Sequence, residues 1–518
     1  MKKQNNLAAL ALYVKARKLQ TEGNFKQAFF ICDQILQIDP KHADTLCLKG
    51  VILSENKQYI PALTLYNQAL TIKKDAHIYN NRGNVFQFLK QYEFALDDFD
   101  VAIKLDKKLT EAYYNKGNCY KALHDNENAL IWFKKCAEID PSYYAAWNNI
   151  GLCYQDTNQF EKALAAYTKA VELAPDNAFC HNNKAYALQT LMRLDEAKEE
   201  FTKAIQLDEN NFDFKFNIGF VHLAKGDLDN GWAGHEMRYK TMYSPGKKKG
   251  FWEGEDLTDK TFIISHEQGL GDTFQFIRHA KQIKELGAKK VIAAVKPEAF
   301  ELIKSMPYID DVFNDPKDWG EYDYYCPVMS VPAVLKIRVE NIPYEQYLFA
   351  NPEKVQEFKN KMGDTSKLRV GIVWSGGFRK DMPQLWAVNN RRNVPFEKLA
   401  PILELDADFY SLQFGENVEQ MNNLINECKN FADTAALIEC LDLVIAVDTS
   451  TAHVAGALNK PVWLMNRFDT CWRWLENRRD TPWYPSMTIY RQNEFNNWDN
   501  VIQDIKVDLE QKIKNPAL

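Results

Sequence analysis

Between two apolar runs, the stretch VIAVDTSTAHVAGAL (Val444–Leu458) gathers Asp448, Thr449, Ser450, Thr451 and His453. A β-like run ending in Asp448 and a helix beginning at about Thr451 would put this polar cluster at a helix N-terminus. There, unpaired backbone N–H groups and the positive end of the helix dipole favour an anion. The hydroxyls of Thr449, Ser450 and Thr451 add donors, and Ala452, Ala455, Gly456 and Ala457 let the helix lie close against a sheet. His453 falls on the first turn, where it either reaches the anion or packs as a core histidine. A sugar diphosphate would use the whole cluster, with Asp448 on the sugar hydroxyls and the helix end on the diphosphate.

Other polar groups stand where apolar runs end. TFIIS runs into HEQGLGDTFQF, in which Gly269 and Gly271 allow a tight turn and close backbone approach. Asp272 follows at the start of a helix, as a first-turn carboxylate favoured by the dipole or as a reactive group. RVGIVW ends in SGGFRK, where Ser375, Gly376 and Gly377 could present backbone N–H groups to a phosphate, although any turn uses such a glycine pair. DFYSLQF ends at Gln413, which says little by itself.

These groups need a scaffold that aligns strand ends. After a Lys-rich hinge, SPGKKKGFWEG, the runs TFIISHE, KVIAAV, DDVFND and YDYYCPV alternate with helical segments beginning near Leu270 and Pro297. After NKMGDTSKL the alternation restarts with RVGIVW, DFYSLQF, LDLVIAV, PVWLM and MTIYRQ. Two successive β/α sets predict two doubly wound domains with mainly parallel sheets, in which ligands bind off the carboxyl ends of strands.

The first half is different. Small residues recur at Ala28, Ala62, Ala95, Ala129, Ala163, Ala197 and Gly231, and again at Ala16, Gly50, Gly83, Gly117, Gly151, Ala185 and Gly219. Both sets step by about 34 residues and stand about twelve apart, as helix–turn–helix pairs packed closely at one point require. The units end alike, in ILQIDP, AIKLDK, CAEIDP, AVELAP and AIQLDE. The array resembles the tetratricopeptide repeat, with about seven copies and the last degenerate, which implies an α-solenoid with a concave binding face. Asn81, Asn115, Asn149, Asn183 and Asn217 stand in register two residues before the second small position, where the first two units have Val14 and Leu48. Carboxamides both donate and accept, so a stack of them could hold an extended peptide by its main chain. Asn is a mediocre helix former, so its recurrence needs a reason beyond a tolerated surface residue. The pattern resembles the asparagine ladder of O-linked N-acetylglucosamine transferases.

The totals fit a chain of this kind. Its 518 residues suggest about three domains. A net charge of −6 favours neither nucleic acid nor an anionic membrane as partner. Ten scattered cysteines without CxxC read as free thiols in a reducing, cytoplasmic setting. Apolar runs fall short of the ~20 residues of a membrane span. Lys2-Lys3 followed by LAALALYV imitates a signal peptide, but Lys15, Arg17 and Lys18 stand where a small-residue cleavage site belongs, so the segment reads as an amphipathic helix.

The second half, over roughly residues 250–495, resembles glycosyltransferase family 9, the heptosyltransferase-like GT-B enzymes. The likeness rests on HEQGLGDTFQF, VGIVWSG, RRNVPFEKLAPIL, SLQ, FADTAALIECLDLVIAVDTSTAHVAGALNKPVW and WRWLENRRDTPWYPSM. It is nearest to bacterial proteins that join tetratricopeptide repeats to such a domain. The resemblance implies repeats over 1–245, an acceptor-side Rossmann-like domain over 250–362, and a nucleotide-sugar domain with a C-terminal helix over 366–518. It also implies Asp272 as general base, and Asp448, Thr449, Ser450 and His453 as the donor-binding signature. Ser375, Gly376 and Gly377 fall by the donor phosphates, Gln413 and the FADTAAL turn near the nucleotide, and Arg391 and Arg392 as candidates to neutralise the diphosphate.

The implied reaction is inverting sugar transfer without a metal or other cofactor, from an ADP-, UDP- or GDP-sugar. A DAD triplet at Asp406–Asp408 has the spelling of a metal motif but precedes a strand and reads as a surface turn. The repeats imply a protein acceptor on their concave face, held by the five Asn. The rivals are a repeat scaffold with a silent transferase-like domain, a transferase acting on a lipid-linked or surface glycan, and one using UDP-N-acetylglucosamine.

Overall fold

The computed structural model describes residues 2–241, 247–314, 316–377 and 386–515. Residues 244–246 of SPGKKKGFWEG and 378–380 of SGGFRK lie outside the described residues. The chain is an N-terminal helical solenoid followed by an α/β region. Its contacts divide it into two compact units, Met1–Ala187 and Leu188–Leu518. No helix among the described residues is long and apolar enough to cross a membrane.

Within the first unit, helices pair as the small-residue register predicts, from Lys2–Thr21 with Phe25–Ile38 to Tyr144–Asp156 with Phe160–Leu173. Ala28, Ala62, Ala95, Ala129 and Ala163 are fully buried. The second small position has a specific partner. A Cβ on Gly50, Gly83, Gly117 or Gly151 would stand 2.8, 2.7, 2.6 or 2.5 Å from the ring of Tyr66, Phe99, Phe133 or Tyr167. Each ring belongs to the second helix of its own pair, so the missing side chain on one helix is the socket for an aromatic on the other. Each turn between paired helices passes through the left-handed region, at Gly23 (φ +76°), Lys57 (+60°), Lys90 (+58°), His124 (+60°) and Asn158 (+59°).

The Asn register ties successive repeats. Asn81 Nδ2 donates to Cys47 Sγ at 3.5 Å, and Asn115 Nδ2 to Asn80 Oδ1 at 3.0 Å. Asn149 Nδ2 donates to Asn118 Oδ1 at 2.9 Å and lies 3.3 Å from the Tyr114 hydroxyl, while Asn183 Nδ2 donates to Asn148 Oδ1 at 2.9 Å. These carboxamides are half-buried and spend their donor side on the preceding repeat.

In the second unit the helices Leu194–Leu207, Phe212–Ala224 (which carries Asn217) and Leu228–Glu236 precede two parallel sheets. The first sheet has β1 (Thr261–Ser265), β2 (Lys290–Ala294), β3 (Asp311–Phe313) and β4 (Tyr324–Pro327), in the order β3-β2-β1-β4. The second has β5 (Arg369–Val373), β6 (Asp408–Ser411), β7 (Leu443–Val447), β8 (Val462–Asn466) and β9 (Met487–Arg491), in the order β6-β5-β7-β8-β9. All nine coincide with the predicted runs, and β7 is buried along its whole length, as a central parallel strand must be. Helix Asp499–Lys514 closes the second sheet's core through Val501, Ile502, Ile505 and Leu509. The last helix pair is docked onto the α/β region, with Trp232 Nε1 donating to Ile337 O at 2.8 Å. Asp406 is an exposed residue ion-paired with Lys367 at 2.6 Å, just before β6.

Candidate functional site

The carboxyl ends of β1, β5 and β7 open onto one cavity of about 500 Å³. It brings Asp272 of the first sheet's side together with Gly376, Gly377, Arg392, Asp448, Thr449, Ser450 and His453 of the second. Lys296, Asn389 and Arg473, which sequence reasoning did not single out, also line it.

β7 ends at Val447, and helix Ser450–Ala457 begins one residue earlier than predicted. Thr449, its N-cap, is extended and makes no side-chain cap bond; its hydroxyl donates back to Val447 O at 3.2 Å. The first-turn N–H groups are thus left without the usual side-chain acceptor. His453 is buried and held from behind. Its Nδ1 lies 3.0 Å from the Tyr484 hydroxyl, and its ring stacks on Trp474 at 5.4 Å. Burial raises the Tyr484 hydroxyl well above its ordinary value, so the phenol stays protonated beside Nδ1. The Nε2 side then faces Asp448, with Oδ1 at 3.7 Å. Burial pushes the Asp448 carboxyl up, but the neighbouring His453, with Arg473 and Arg392, outweighs it and holds the group well below the usual carboxylate range.

Asp272 stands in the first turn of helix Leu270–Phe276. Oδ2 accepts from Gly269 N–H at 2.8 Å, the helix-capping role foreseen as the alternative. Oδ1 is ion-paired with the Arg473 guanidinium. The two sides of the cavity meet closely here, because a Cβ on Gly271 would stand 2.9 Å from His453 Cδ2. Arg473 is buried, and its Nε donates to Gln275 Oε1 at 2.6 Å. Burial lowers its affinity for a proton, but Cys471, Asp272 and Asp448 reverse this and keep it charged.

The loop after β5 is more occupied than its sequence suggests. Ser375 N–H is taken by Gln413 Oε1 at 3.0 Å, and Gly376 N–H by Asn393 Oδ1 at 3.0 Å. Neither amide is open to a phosphate in this arrangement, so Gln413 shapes the loop rather than lining the cavity. Gly376 admits the Arg392 guanidinium, which would collide with any Cβ there. Arg392 Nη1 donates to Asp448 O at 3.3 Å and Nη2 to Asn389 Oδ1 at 3.0 Å. The two arginines therefore separate: Arg392 lines the cavity, whereas Arg391 is buried against Asp469 at 2.9 Å. Asn389 is buried, and its Nδ2 has no hydrogen-bond partner among the described residues. Lys296 Nζ donates to Gln268 O at 3.0 Å. Among the described residues, the cations Lys296, Arg392 and Arg473 thus surround Asp272 and Asp448 in a cleft able to receive a polyanion.

Comparison with known proteins gives matches in both halves. Residues 110–143, 144–177 and 180–211 match tetratricopeptide repeat models. Residues 416–465, which include β7 and the polar cluster, match glycosyltransferase family 9 (heptosyltransferase). The chain is 25% identical over 327 residues to Protein FlbA of Caulobacter vibrioides, covering 55% of this chain and 53% of that protein. It therefore spans about half the length of that curated relative. Among solved structures it is similar to YrrB, described as a TPR protein with an unusual peptide-binding site, at 25% identity and TM-score 0.28, over 34% of this chain and 92% of that one. It is also similar to PilF of Pseudomonas aeruginosa, at 18% identity and TM-score 0.38, over 41% and 97%. The chain thus carries tetratricopeptide repeats in its first half and, in its second, a segment that matches glycosyltransferase family 9.

Proposed function

We propose that the chain is an inverting, metal-independent glycosyltransferase that moves a sugar from a nucleotide sugar to a protein acceptor bound by the repeats, in the cytoplasm. One observation carries the reading: a single cleft sets the Asp272 carboxylate across from the helix end at Asp448–His453. In this scheme residues 1–245 recruit the acceptor, 250–362 supply the base and 366–518 hold the donor. The acceptor hydroxyl attacks the anomeric carbon and passes its proton to Asp272. The bond from that carbon to the diphosphate oxygen breaks, and the electron pair leaves with the diphosphate. Arg392, the first-turn N–H groups of helix Ser450–Ala457 and His453 Nε2 stabilise the leaving charge. Asp448 and Asn389 Nδ2 are placed to hydrogen-bond donor hydroxyls. On the repeats, Asn81, Asn115 and Asn149 join the preceding repeat through their donor side and turn their carboxamide oxygens to peptide N–H groups.

A melting screen against ADP-, UDP- and GDP-sugars tests the donor half, since a ligand of the folded state raises the midpoint by mass action. A shift with one nucleotide family is expected. No shift with any of them at saturating concentration would leave a repeat scaffold with a silent domain as the better account.

A further inference from the structure

Arg473 is a buried cation with two claims on it. Its guanidinium is ion-paired with Asp272 Oδ1, yet it lines the same cleft as Arg392, His453 and the helix end at Ser450. It lies between β8 and β9 of the second sheet, while Asp272 follows β1 of the first. Gln275 accepts from Nε and Cys471 Sγ from Nη1 at 3.2 Å, so Nη2, which otherwise meets only Met329 Sδ at 3.8 Å among the described residues, can change partner while the side chain stays anchored. Asp272 Oδ2 is fixed by Gly269 N–H, so Oδ1 is the oxygen the pairing with Arg473 occupies. Among the described residues, the other charged or titratable groups facing the cleft are Lys296, Arg392, Asp448 and His453.

We propose that Arg473 is exchanged between Asp272 and the donor's diphosphate, so that arrival of the donor both fixes the diphosphate and uncovers the base. The inference rests on the transferase reading above and adds an order to it. An acceptor hydroxyl meets a free Asp272 oxygen only once a diphosphate holds the arginine. A guanidinium suits this exchange, because its planar fork pairs equally well with a carboxylate and a phosphate.

Competition for one cation is reciprocal, and a double-mutant cycle reads it directly. Affinities for ADP, UDP, GDP and inorganic pyrophosphate would be measured by calorimetry on the full chain. Asp272→Asn should tighten the best of these by about five- to tenfold, because the arginine no longer has a carboxylate to leave. Arg473→Met should weaken it by about tenfold or more. The gain from Asp272→Asn should vanish in the Arg473→Met background. An equal gain in both backgrounds would mean simple repulsion between Asp272 and the diphosphate, and would overturn the exchange; so would no gain in either. Should Arg473→Met not fold, Arg473→Lys provides the second background, where a reduced gain supports the exchange and an undiminished one overturns it. The base reading fails separately, through an Asp272→Asn enzyme of full transfer rate. If none of the four probes binds, the donor site and the exchange fall together.

Discussion

Glycine has opposite uses in the two halves of this chain. In the repeats, Gly50, Gly83, Gly117 and Gly151 each leave a socket for an aromatic ring of the same helix pair. In the α/β region, Gly271 and Gly376 leave room for His453 and Arg392, side chains that line the cleft. The first use is local, periodic and concerned with stability. The second concerns chemistry, and at Gly271 it joins segments far apart in sequence. A glycine-to-alanine change should therefore unsettle packing in the repeats but the site in the α/β region.

The largest effect should come from the site itself. Asp272→Asn is expected to lower the transfer rate by about 10²–10⁴-fold, as loss of a general base does. Single-turnover kinetics would show this, and an unchanged rate would leave Asp272 only its cap on Gly269. Next, Asp448→Ala and His453→Ala should each weaken nucleotide-sugar binding by about 1.5–3 kcal/mol without unfolding the domain. The Asp448 carboxyl is held below its usual range in the folded chain. Its contribution to stability is therefore full above the ordinary carboxylate value of about 4 and is lost as pH falls through the lowered folded value.

Paired glycine variants sharpen the contrast. Gly151→Ala forces a Cβ against Tyr167 and should destabilise the array by about 1–3 kcal/mol while donor affinity stays the same. Gly271→Ala presses on His453 and should weaken donor binding with a smaller change in melting temperature. Calorimetry and thermal denaturation on both variants would test this, and interchangeable behaviour would erase the distinction.

The two halves were also unequally legible in sequence. Periodicity revealed the repeats because each socket and ring recur at fixed spacing. The strands were legible because parallel central strands are apolar throughout. Asp448 and His453 could be found because a polar cluster after such a strand is anomalous. Arg473 could not, since it meets Asp272 only after two sheets have folded against each other and WRWL shows no period. The amides of Ser375 and Gly376 read as open because nothing local shows that Gln413 and Asn393 will cap them. The Asn ladder was visible as a column, but not its bonds, because the acceptor changes from Cys47 to Asn80, Asn118 and Asn148.

Those bonds make the ladder a test of whether stability and recognition separate within the repeats. Replacing Asn115, Asn149, Asn183 and Asn217 together by Ala should raise KM for a protein acceptor by about three- to tenfold or more, at ~0.5–1.5 kcal/mol per lost hydrogen bond. Donor affinity should stay constant. Circular dichroism must first show an intact array. A folded quadruple variant with normal KM would make the carboxamides inter-repeat ties alone.

The smallest effect concerns the turns, where the local and periodic character of the repeats is most exposed. Gly23 adopts φ +76° at no steric cost, while Lys57, Lys90 and His124 occupy the same left-handed position at φ +60°, +58° and +60°. A side chain there costs about 1–2 kcal/mol, because Cβ crowds the following carbonyl. Glycine removes that cost but gives the unfolded chain more freedom, which takes back about 0.4–1 kcal/mol. The net gain for each of Lys57→Gly, Lys90→Gly and His124→Gly is therefore a few tenths to about 1 kcal/mol. All three side chains are exposed, so little packing is lost. They stand in separate turns, so their gains should add in the triple variant. In a repeat array each gain is felt mostly by the unit that carries it and its neighbours. Amide hydrogen exchange should thus slow in the helices flanking each changed turn, with transfer rate and donor affinity unmoved. Faster exchange there would mean that the lysine and histidine side chains hold these turns through contacts that glycine cannot replace.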